Sequence, residues 1–476
     1  MTVATAVGTA RSTRVFHGRA RFGIDQWEYL PFAVPGGVRR ITVTVEHSRF
    51  TVAKGVAANV LDLGITGPTG FRGWSGGARR SFTLAAGDAT PGYLPGPIEP
   101  GTWTVTLGPV VLNPLGMRWR VRVELEHSDP ASSLAHRVEL EHGEPTAPVA
   151  VPRPPPTRVP GRGPGWYRGD LHLHTVHSDG RRTPAELARA ARERGLDFVV
   201  STEHNTCSAN LAWGAEDLAG LLVVPGLEVT TRHGHWLAVG LPAGETVEWR
   251  YRPGQHRFAR YAERVQAAGG LVVAAHPALP LPGGAWEFGY RHVDAIEVWN
   301  GRWSLDDEAA LAIWHRLLCR GRRIVAVAGS DSHAEHQPVG MPQVAVYAAG
   351  LSTPAVLDGL LLGRSYLAGS AEVRLDLTAR SGGAVAGPGE ELAAPGAVHV
   401  ESIVDGVPPG ARVTLRTRGG VVAAATIDHT GSRILRWHGT AAAAGFLRVE
   451  VRRPRTRAGF PAAMVALSNP IWLRSS

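Results

Sequence analysis

Hydrophobic and polar positions alternate in short runs over the first 143 residues, and Gly and Pro turns separate the runs. Examples are RRITVTVEHSRF at 39–50, RRSFTLAAG at 79–87, TWTVTLGPV at 102–110 and RWRVRVELEHS at 118–128. A period of two places alternate side chains on one face of a strand. Short strands of this kind are typical of antiparallel sheets. The pattern predicts an N-terminal β-sandwich or jelly roll over residues 14–143.

A proline-rich stretch, EPTAPVAVPRPPPTRVPGRGPG, follows at 144–165. Proline has no backbone N–H and a fixed φ, so this density excludes a helix or an inner strand and favours extended chain. The stretch is predicted to be a linker.

After the linker, continuous apolar runs of buried-strand type alternate with helical patterns. Seven such runs are YRGDLHLHT, DFVVSTEHN, LLVVPGLEVTT, LVVAAHP, AIEVWNG, RIVAVAGSDSH and QVAVYAAG. Seven strand–helix units predict a (β/α) barrel over 166–370. Beyond it the helical period disappears, and the short strands at 371–476 predict a C-terminal β domain. The expected fold class is therefore α/β, with a seven-stranded barrel flanked by β-sandwich-like domains.

Helix starts in this region carry capping signals. Thr183 is a predicted N-cap, with Pro184 at the first helical position and Glu186 as its capping-box partner. Thr353 with its following proline repeats the cap signal, and Ser304 is predicted to cap the helix in 304–321. The helical period places four residues of that last helix on one face, namely Leu311, Trp314, His315 and Leu318.

Composition restricts the class of protein. The 476 residues are 44% hydrophobic and 19% charged, and no stretch approaches the roughly 18 apolar residues of a membrane span. The N-terminus lacks the apolar core of a signal peptide, which predicts a cytoplasmic protein. Cys207 and Cys319 are expected to be free thiols. The net charge of +9 comes from scattered arginines, with Lys54 the only lysine, and this argues against a nucleic-acid stripe.

Histidines and acids stand where the predicted strands end. The run at 167–175 ends in His172-Leu-His174 and leads to Asp179, and later runs end in similar residues, which are Glu203-His204, Glu228 followed by His235, His276, and Asp331-Ser-His333. In a barrel of parallel strands these ends meet at one mouth. Buried carboxylates and imidazoles are unfavourable unless they are paired or bound to a cation. The series predicts a metal site with divalent Zn, Mn or Fe.

A single H-x-H pair is weak support for such a site. With 20 histidines in 476 residues, chance gives about one such pair per chain, and His233-Gly-His235 is a second. The first pair gains weight from its position, because residues i and i+2 of a strand face the same side and can grip one ion.

Five motifs occur in an order that resembles the PHP (polymerase and histidinol phosphatase) superfamily. They are GDLHLHTVHSDG, STEHN, GLEVTTRHGHWLAVG, AAHP and AGSDSH. The EVWNG strand and the β domains resemble the carbaryl-hydrolase-like branch. The resemblance implies a distorted seven-stranded barrel and two or three metal ions. It also implies a small-molecule substrate.

The resemblance implies a role for each matching residue. A first ion is expected between four residues, which are His172, His174, Glu228 and Asp331. Glu228 is expected to bridge to a second ion held with His235 and His276, and a third is expected among Asp179, His204 and His333. Glu203 stands where the family often has Asp, and we expect it to orient His204. His233 remains an alternative to His235.

These assignments lead to a hydrolytic hypothesis, in which a metal-bridged hydroxide attacks the substrate. The expected catalytic residues are Asp331, His276 and Glu228, with Arg232 or Arg302 clamping an anionic group and Asn300 orienting substrate or a loop. A phosphoester is the favoured substrate, with a carbamate, ester or amide as the alternative.

Two other classes compete with this hypothesis. The binuclear amidohydrolase barrel also begins with H-x-H, but its common bridging lysine is missing from this barrel region. An inactive scaffold that recognises ligands through its β domains is the second alternative. The sequence does not indicate the oligomeric state.

Overall fold

The computed structural model describes residues 11–53, 56–127, 151–455 and 460–475. The predicted end of the first domain, 128–143, and the start of the linker, 144–150, lie outside the described residues. The described residues form two compact units. The first contains those up to residue 153 together with two short segments, 176–179 and 204–212, and the second contains the other described residues.

The first unit contains ten strands of the described chain. They are β1 (Arg11–Ala20), β2 (Glu28–Val34), β3 (Val38–His47), β4 (Thr51–Ala53), β5 (Val56–Ala57), β6 (Asn59–Gly67), β7 (Gly70–Gly76), β8 (Ser81–Ala85), β9 (Gly101–Val111) and β10 (Met117–His127). Two four-stranded antiparallel sheets form, in the orders β1-β10-β3-β8 and β2-β9-β6-β7. β10 alternates buried and exposed positions, as its sequence predicts. Side chains from both sheets share one core that includes Val43, Leu63 and Trp103.

The second unit begins with nine strands between residues 165 and 368. They are β11 (Gly165–Asp170), β12 (Phe198–Ser201), β13 (Leu222–Thr231), β14 (Gly234–Val239), β15 (Leu271–Ala274), β16 (Ala295–Asn300), β17 (Val325–Gly329), β18 (Gln343–Ala348) and β19 (Ser365–Ala368). Four α-helices lie among them: α1 (Pro184–Glu193), α2 (Arg257–Ala267), α3 (Leu305–Cys319) and α4 (Thr353–Leu361). A short 3-10 helix spans Trp213–Ala215. The described part of 151–164 contains no helix or extended strand.

Neighbouring strands from β11 to β17 follow one another in a single sheet. Pairing is parallel for β11-β12-β13 and for β15-β16-β17, but β14 is antiparallel to both of its neighbours. After β17 the chain returns to β11, where Leu173 and Ser332 form an isolated parallel bridge. The ends of the first and seventh strands therefore lie side by side, whereas closure into a barrel stays a prediction.

The prediction of seven strand–helix units was wrong, because the described part of 165–368 has nine strands and only four α-helices. β13 connects directly to β14 through a turn at 232–233, with no helix between them. Gly234 begins β14 with φ 103°, and a Cβ there would lie 2.6 Å from the Trp286 backbone, so the tight hairpin requires glycine. β18 pairs antiparallel to β11 instead of continuing the parallel series.

Helix caps follow the sequence signals closely. Thr183 caps α1 with the predicted capping box, in which Glu186 accepts a hydrogen bond from the Thr183 backbone N–H at 2.8 Å. Ser304 precedes α3, and its N–H donates to Asp307 at 2.7 Å. The cap of α4 is Ser352 and not Thr353, because the chain is already helical at Thr353 and Pro354 then takes the second helical position. Leu311, Trp314 and Leu318 are buried on one face of α3.

The C-terminal strands continue the second unit. They are β20 (Arg374–Ser381), β21 (Ala384–Ala386), β22 (Glu391–Ala393), β23 (Ala397–Asp405), β24 (Arg412–Thr417), β25 (Gly420–Thr426), β26 (Arg433–Thr440), β27 (Phe446–Arg452), β28 (Met464–Ser468) and β29 (Ile471–Arg474), with a short helix α5 (Ala441–Ala444). β28 pairs with β19, so the main sheet runs on into the C-terminal region. Tyr366 of β19 packs in the same core as Val400 and Val449.

Cys207 is buried and Cys319 is half-buried, and neither forms a disulfide. Among the described residues, no helix has both the length and the apolar composition of a membrane span.

Candidate metal centre

The segment after β11 carries the H-x-H pair. The strand itself ends at Asp170, so His172 and His174 lie beyond it and not within it as predicted. Both imidazoles are nevertheless 0% exposed. The His172 carbonyl accepts a hydrogen bond from Asp331 N at 2.9 Å, and His174 N donates to Ser332 at 3.2 Å. This backbone pairing fixes the two histidines against the segment that follows β17.

Two imidazoles and two carboxylates converge at this point. His172 Nε2 lies 3.3 Å from Glu228 Oε2 and 3.5 Å from Asp331 Oδ1. His174 Nε2 lies 3.5 Å from the same Glu228 oxygen and 3.0 Å from the same Asp331 oxygen. Two nitrogens and two oxygens thus face one another as the sequence predicted for a first ion.

Glu228 has a second set of neighbours at its other oxygen. Glu228 Oε1 lies 2.9 Å from His235 Nδ1 and 3.1 Å from His276 Nε2. β13 and β14 form a hairpin in which Thr230 pairs with His235, which brings His235 beside Glu228. Each oxygen of Glu228 therefore serves a different pair of imidazoles, which is the arrangement of a bridging carboxylate.

The spacing of these atoms fits a divalent ion. Bonds from zinc to nitrogen or oxygen ligands are about 2.0–2.2 Å long, so two ligands of a tetrahedral ion lie roughly 3.3 Å apart. The nitrogen-to-oxygen separations of the first set range from 3.0 to 3.5 Å. Imidazole and carboxylate donors without thiolate suit zinc, manganese or iron. The residues present therefore fit a metal centre.

Glu297 accepts hydrogen bonds from residues of this centre, although the sequence did not single it out. It is 1% exposed on β16, and its Oε1 lies 3.0 Å from His172 Nδ1. Its Oε2 accepts hydrogen bonds from His276 N at 2.9 Å and Asn300 Nδ2 at 3.0 Å. A carboxylate on Nδ1 directs Nε2 toward a metal. The signal in the sequence was a lone acid inside the apolar run AIEVWN.

Asn300 connects Glu297 to Asp331. Its Nδ2 lies 3.3 Å from Asp331 Oδ2 as well as contacting Glu297. Its backbone N–H donates to Asp307 Oδ1 at 2.9 Å, which ties it to the start of α3. Asn300 thus contacts a candidate metal ligand. Its expected role in orienting substrate or a loop stays a prediction.

Two of the candidate ligands have a backbone conformation that L-residues seldom adopt. His276 has φ 25° and Asp331 has φ 49°. Non-glycine residues in this region are found where surrounding structure holds them, often at functional sites. The His276 N–H bond to Glu297 and the Asp331 N–H bond to His172 are two such restraints.

Asp170 is a second buried carboxyl that the sequence analysis missed. It accepts hydrogen bonds from the backbone N–H groups of His172 at 3.2 Å, Ser330 at 2.9 Å and Gly340 at 2.8 Å. Burial raises its pKa to about 6, although these donors oppose the rise. Asp170 thereby joins the segments after β11 and β17 and supports both sides of the first ligand set.

The charges of the centre are strongly coupled. Burial opposes a charged His172, but the carboxylates of Asp331, Glu297 and Glu228 outweigh it and raise the pKa of His172 well above its usual value. Burial likewise opposes a charged Asp331, yet His172 and His174 hold the pKa of Asp331 well below its usual range. The carboxylates therefore form a site that favours positive charge, which a divalent ion supplies when bound.

Three other residues that the sequence singled out lie outside the two ligand sets around Glu228. His233 Nδ1 is 2.9 Å from Glu287, so of the two histidines in H-G-H it is His235 that contacts Glu228. Glu203 accepts a hydrogen bond from Thr175 N at 3.0 Å, so it holds the segment carrying His174. Arg232 lies half-buried in the turn between β13 and β14.

The residues expected to hold a third ion divide between the two units. Asp179 and His204 belong to the short segments of the first unit, where His204 Nε2 lies 3.4 Å from Asp179 Oδ1. In the second unit, the ring of His333 stacks on His174 with centroids 4.1 Å apart. The third ion stays a prediction.

A cavity of about 800 Å³ opens beside the first ligand set in the second unit. Asp331, His333, Asn300 and Arg302 are among its lining residues, whereas Arg232 is not. Of the two arginines proposed as an anion clamp, Arg302 is therefore the one that lines the space next to Asp331.

No family model matches the chain. Over 126 residues it is 28% identical to an uncharacterized protein of Methanocaldococcus jannaschii, covering 24% of this chain and 70% of that protein. Over 140 residues it is 29% identical to the 5'-3' exoribonuclease Rnm of Salmonella typhimurium, covering 28% of this chain and 46%, or about half, of the relative.

Among solved structures, the chain aligns with a two-domain protein from Bacteroides vulgatus that contains a predicted PHP-like metal-dependent phosphoesterase. The TM-score is 0.37 and the identity 15%, over 69% of this chain and 100% of that one. Membership of the PHP superfamily and of its carbaryl-hydrolase-like branch stays a prediction. Within the second unit, six of the nine predicted ligands lie together in clusters of His, Asp and Glu suited to a divalent ion.

Proposed function

We propose that this protein is a metal-dependent hydrolase of the PHP type that cleaves phosphoesters at a two-ion centre. Four residues would hold the first ion, and these are His172, His174, Glu228 and Asp331. His235 and His276 would hold the second, with Glu228 shared between the two.

The observation that carries the proposal is the position of Glu228. It is 1% exposed, and its two oxygens face two different pairs of imidazoles at 2.9–3.5 Å. A buried carboxylate that bridges two ligand sets is the feature that distinguishes a two-ion centre from a single buried ion pair.

When bound, the ions would supply a Lewis acid and a water made acidic enough to attack near neutral pH. Residues of the protein orient the candidate ligands. Glu297 fixes the ring of His172 through Nδ1, and Asn300 restrains Asp331 through Oδ2 at 3.3 Å. Arg302 lines the cavity next to Asp331, where a guanidinium stabilises negative charge on a substrate.

Two points favour a phosphoester over a carboxylic ester, carbamate or amide. Arg302 offers a planar donor suited to phosphate oxygens. The Salmonella relative is by its name an exoribonuclease, an enzyme that cleaves phosphodiester bonds. The carbamate and ester alternative uses the same ligands, so the bond cleaved must be tested directly.

The decisive experiment combines metal analysis with two chromogenic assays. Protein purified without chelators should contain close to two divalent ions per chain, and with Mn or Zn it should hydrolyse para-nitrophenyl phosphate faster than a naphthyl carbamate. Asp331→Ala should lose bound metal and activity, whereas Asp376→Ala, an exposed aspartate on β20, should keep both.

Full metal content and full hydrolysis in Asp331→Ala would refute the assignment. Faster cleavage of the carbamate would support the alternative hydrolase. Absence of metal and of both activities in the unmodified protein would support the scaffold alternative.

A further inference from the structure

The cavity beside Asp331 has walls from two parts of the second unit. Leu279 and Trp299 come from the region of β15 and β16, whereas Met464 and Val465 begin β28 of the C-terminal region. Its volume of about 800 Å³ is within the range of roughly 300–1,000 Å³ for small-molecule sites. A site for a benzene-sized group needs only about 150 Å³. The cavity therefore has room for a much larger group than a single ring.

The two tryptophans of the cavity present hydrocarbon to it. Trp299 Nε1 donates to Gly301 O at 2.9 Å, and Trp303 Nε1 donates to Glu308 Oε1 at 2.8 Å. The rings pack edge to face, with centroids 5.5 Å apart and planes at 85°. Because both indole N–H groups already have acceptors, these side chains contribute apolar contacts and favour an aromatic or other flat apolar ligand.

Cations outnumber carboxylates along this cavity. Arg302 and Arg453 are both exposed lining residues, and Asp331 is the one carboxylate among the described lining residues. Within the described chain neither guanidinium lies within ion-pair distance of an acid. Asp331 faces His172 and His174, so its charge is directed to the ligand set. The open side of the cavity therefore favours a negatively charged group.

From these features we infer that the cavity binds the organic group of the substrate, and that this group is a large, flat, apolar moiety carrying a carboxylate or similar anion. The apolar part packs against Trp299 and Trp303, and the anion meets Arg453 of the C-terminal region. This inference rests on the proposed function for the reacting end of the substrate. It assigns to the C-terminal region a role in substrate selection.

The test uses three phosphomonoesters that differ only in the organic group. Phenyl phosphate is the small reference, 2-naphthyl phosphate adds apolar surface, and the 6-carboxy derivative of 2-naphthyl phosphate adds an anion. We expect kcat/KM to rise about tenfold from phenyl to naphthyl and about tenfold again with the carboxylate, since tenfold corresponds to about 1.4 kcal/mol.

Two variants separate the apolar and the anionic contributions. Ser370→Trp narrows the cavity from a half-buried lining position and should lower the naphthyl-to-phenyl ratio of kcat/KM about tenfold. Arg453→Gln should bring the carboxylated-to-plain naphthyl ratio close to one. Arg455→Gln is the matched control, because Arg455 is an exposed arginine that does not line this cavity, and it should leave both ratios unchanged.

Equal kcat/KM for all three esters, or ratios that neither variant alters, would overturn the inference. If the unmodified protein cleaves no phosphoester, the proposed function fails separately. Binding of 6-hydroxy-2-naphthoate, measured by calorimetry, then tests the ligand preference of the cavity independently of hydrolysis. Binding that Ser370→Trp and Arg453→Gln each weaken about tenfold would support the inference, whereas absent or unaltered binding would refute it.

Discussion

Glu228 and Glu297 are glutamates on strands of the same sheet, and each is 1% exposed, yet their neighbours differ. Glu228 on β13 faces four imidazoles, with two nitrogens near each oxygen. Glu297 on β16 faces one imidazole nitrogen, one backbone N–H and one amide. The first therefore has the contacts of a shared ligand, and the second has the contacts of a group that orients ligands.

The comparison shows that burial and residue type do not assign a role to a carboxylate. Both side chains would be unfavourable in the interior without partners. Hydrogen bonds to N–H groups satisfy Glu297 within the protein, whereas Glu228 lies among ring nitrogens that also suit a metal. The two residues should therefore respond differently to the same substitution.

The largest effect is expected for Glu228→Gln. The neutral amide removes the negative charge shared by both ligand sets, so both ions should bind poorly and kcat/KM should fall by about 10³ or more. Metal analysis and hydrolysis of a phosphomonoester measure the two losses. Glu372→Gln, an exposed glutamate, is the control. Retention of both ions by Glu228→Gln would mean that Glu228 does not bridge them.

A smaller loss is expected for Glu297→Gln. An amide N–H₂ placed against His172 Nδ1 favours the wrong tautomer of the ring, so metal affinity should fall about 10- to 100-fold. Activity should return when metal is added in excess, which Glu228→Gln should not show. Titration of the apoprotein with Zn or Mn measures the difference. If excess metal rescues both variants equally, the distinction between the two glutamates is wrong.

Asn300 gives a weaker perturbation of the same network. Asn300→Ala removes the Nδ2 contacts to Glu297 at 3.0 Å and Asp331 at 3.3 Å, and activity should fall about tenfold with metal content retained. Asn300→Asp should be more damaging, because a third carboxylate repels the other two. At saturating metal, kcat/KM should be highest for the unmodified protein, lower for Asn300→Ala and lowest for Asn300→Asp. A higher value for Asn300→Asp than for Asn300→Ala would contradict this order.

The last prediction concerns stability and not activity, at Asp307, a buried carboxyl outside the ligand sets. Burial raises its pKa to about 7, against 3.8 for an ordinary aspartate, although N–H donors from Asn300 and Ser304 oppose the rise. Between these values the folded protein binds a proton that the unfolded chain has released. The contribution of Asp307 to the free energy of unfolding therefore falls as pH rises from about 4 to 7, by on the order of 2 to 4 kcal/mol.

Asp307→Asn has no such titration. Its stability relative to the unmodified protein should increase from pH 4 to pH 7, as measured by Tm or by urea denaturation at several pH values. A stability difference that does not vary with pH would show that Asp307 titrates normally in the folded protein.

Local patterns in the sequence determined most of the elements and the list of candidate ligands. Strand periodicity predicted the alternation of β10, and capping signals placed the starts of α1 and α3. The candidate ligands were visible because most of them follow an apolar run, which predicts the end of a buried strand. Caps and apolar runs are properties of residues close together in the chain, so the sequence alone indicates them.

The tertiary structure decided what depends on distant partners. Glu297 contacts His172 across 125 positions of sequence, and no local pattern indicates that pairing. The antiparallel β14 brings His235 and not His233 to Glu228. Hydrogen bonds to Glu297 and His172 restrain the positive φ of His276 and Asp331. Long-range contacts select among residues that look equivalent along the chain, because the energy of a buried charge depends on what surrounds it.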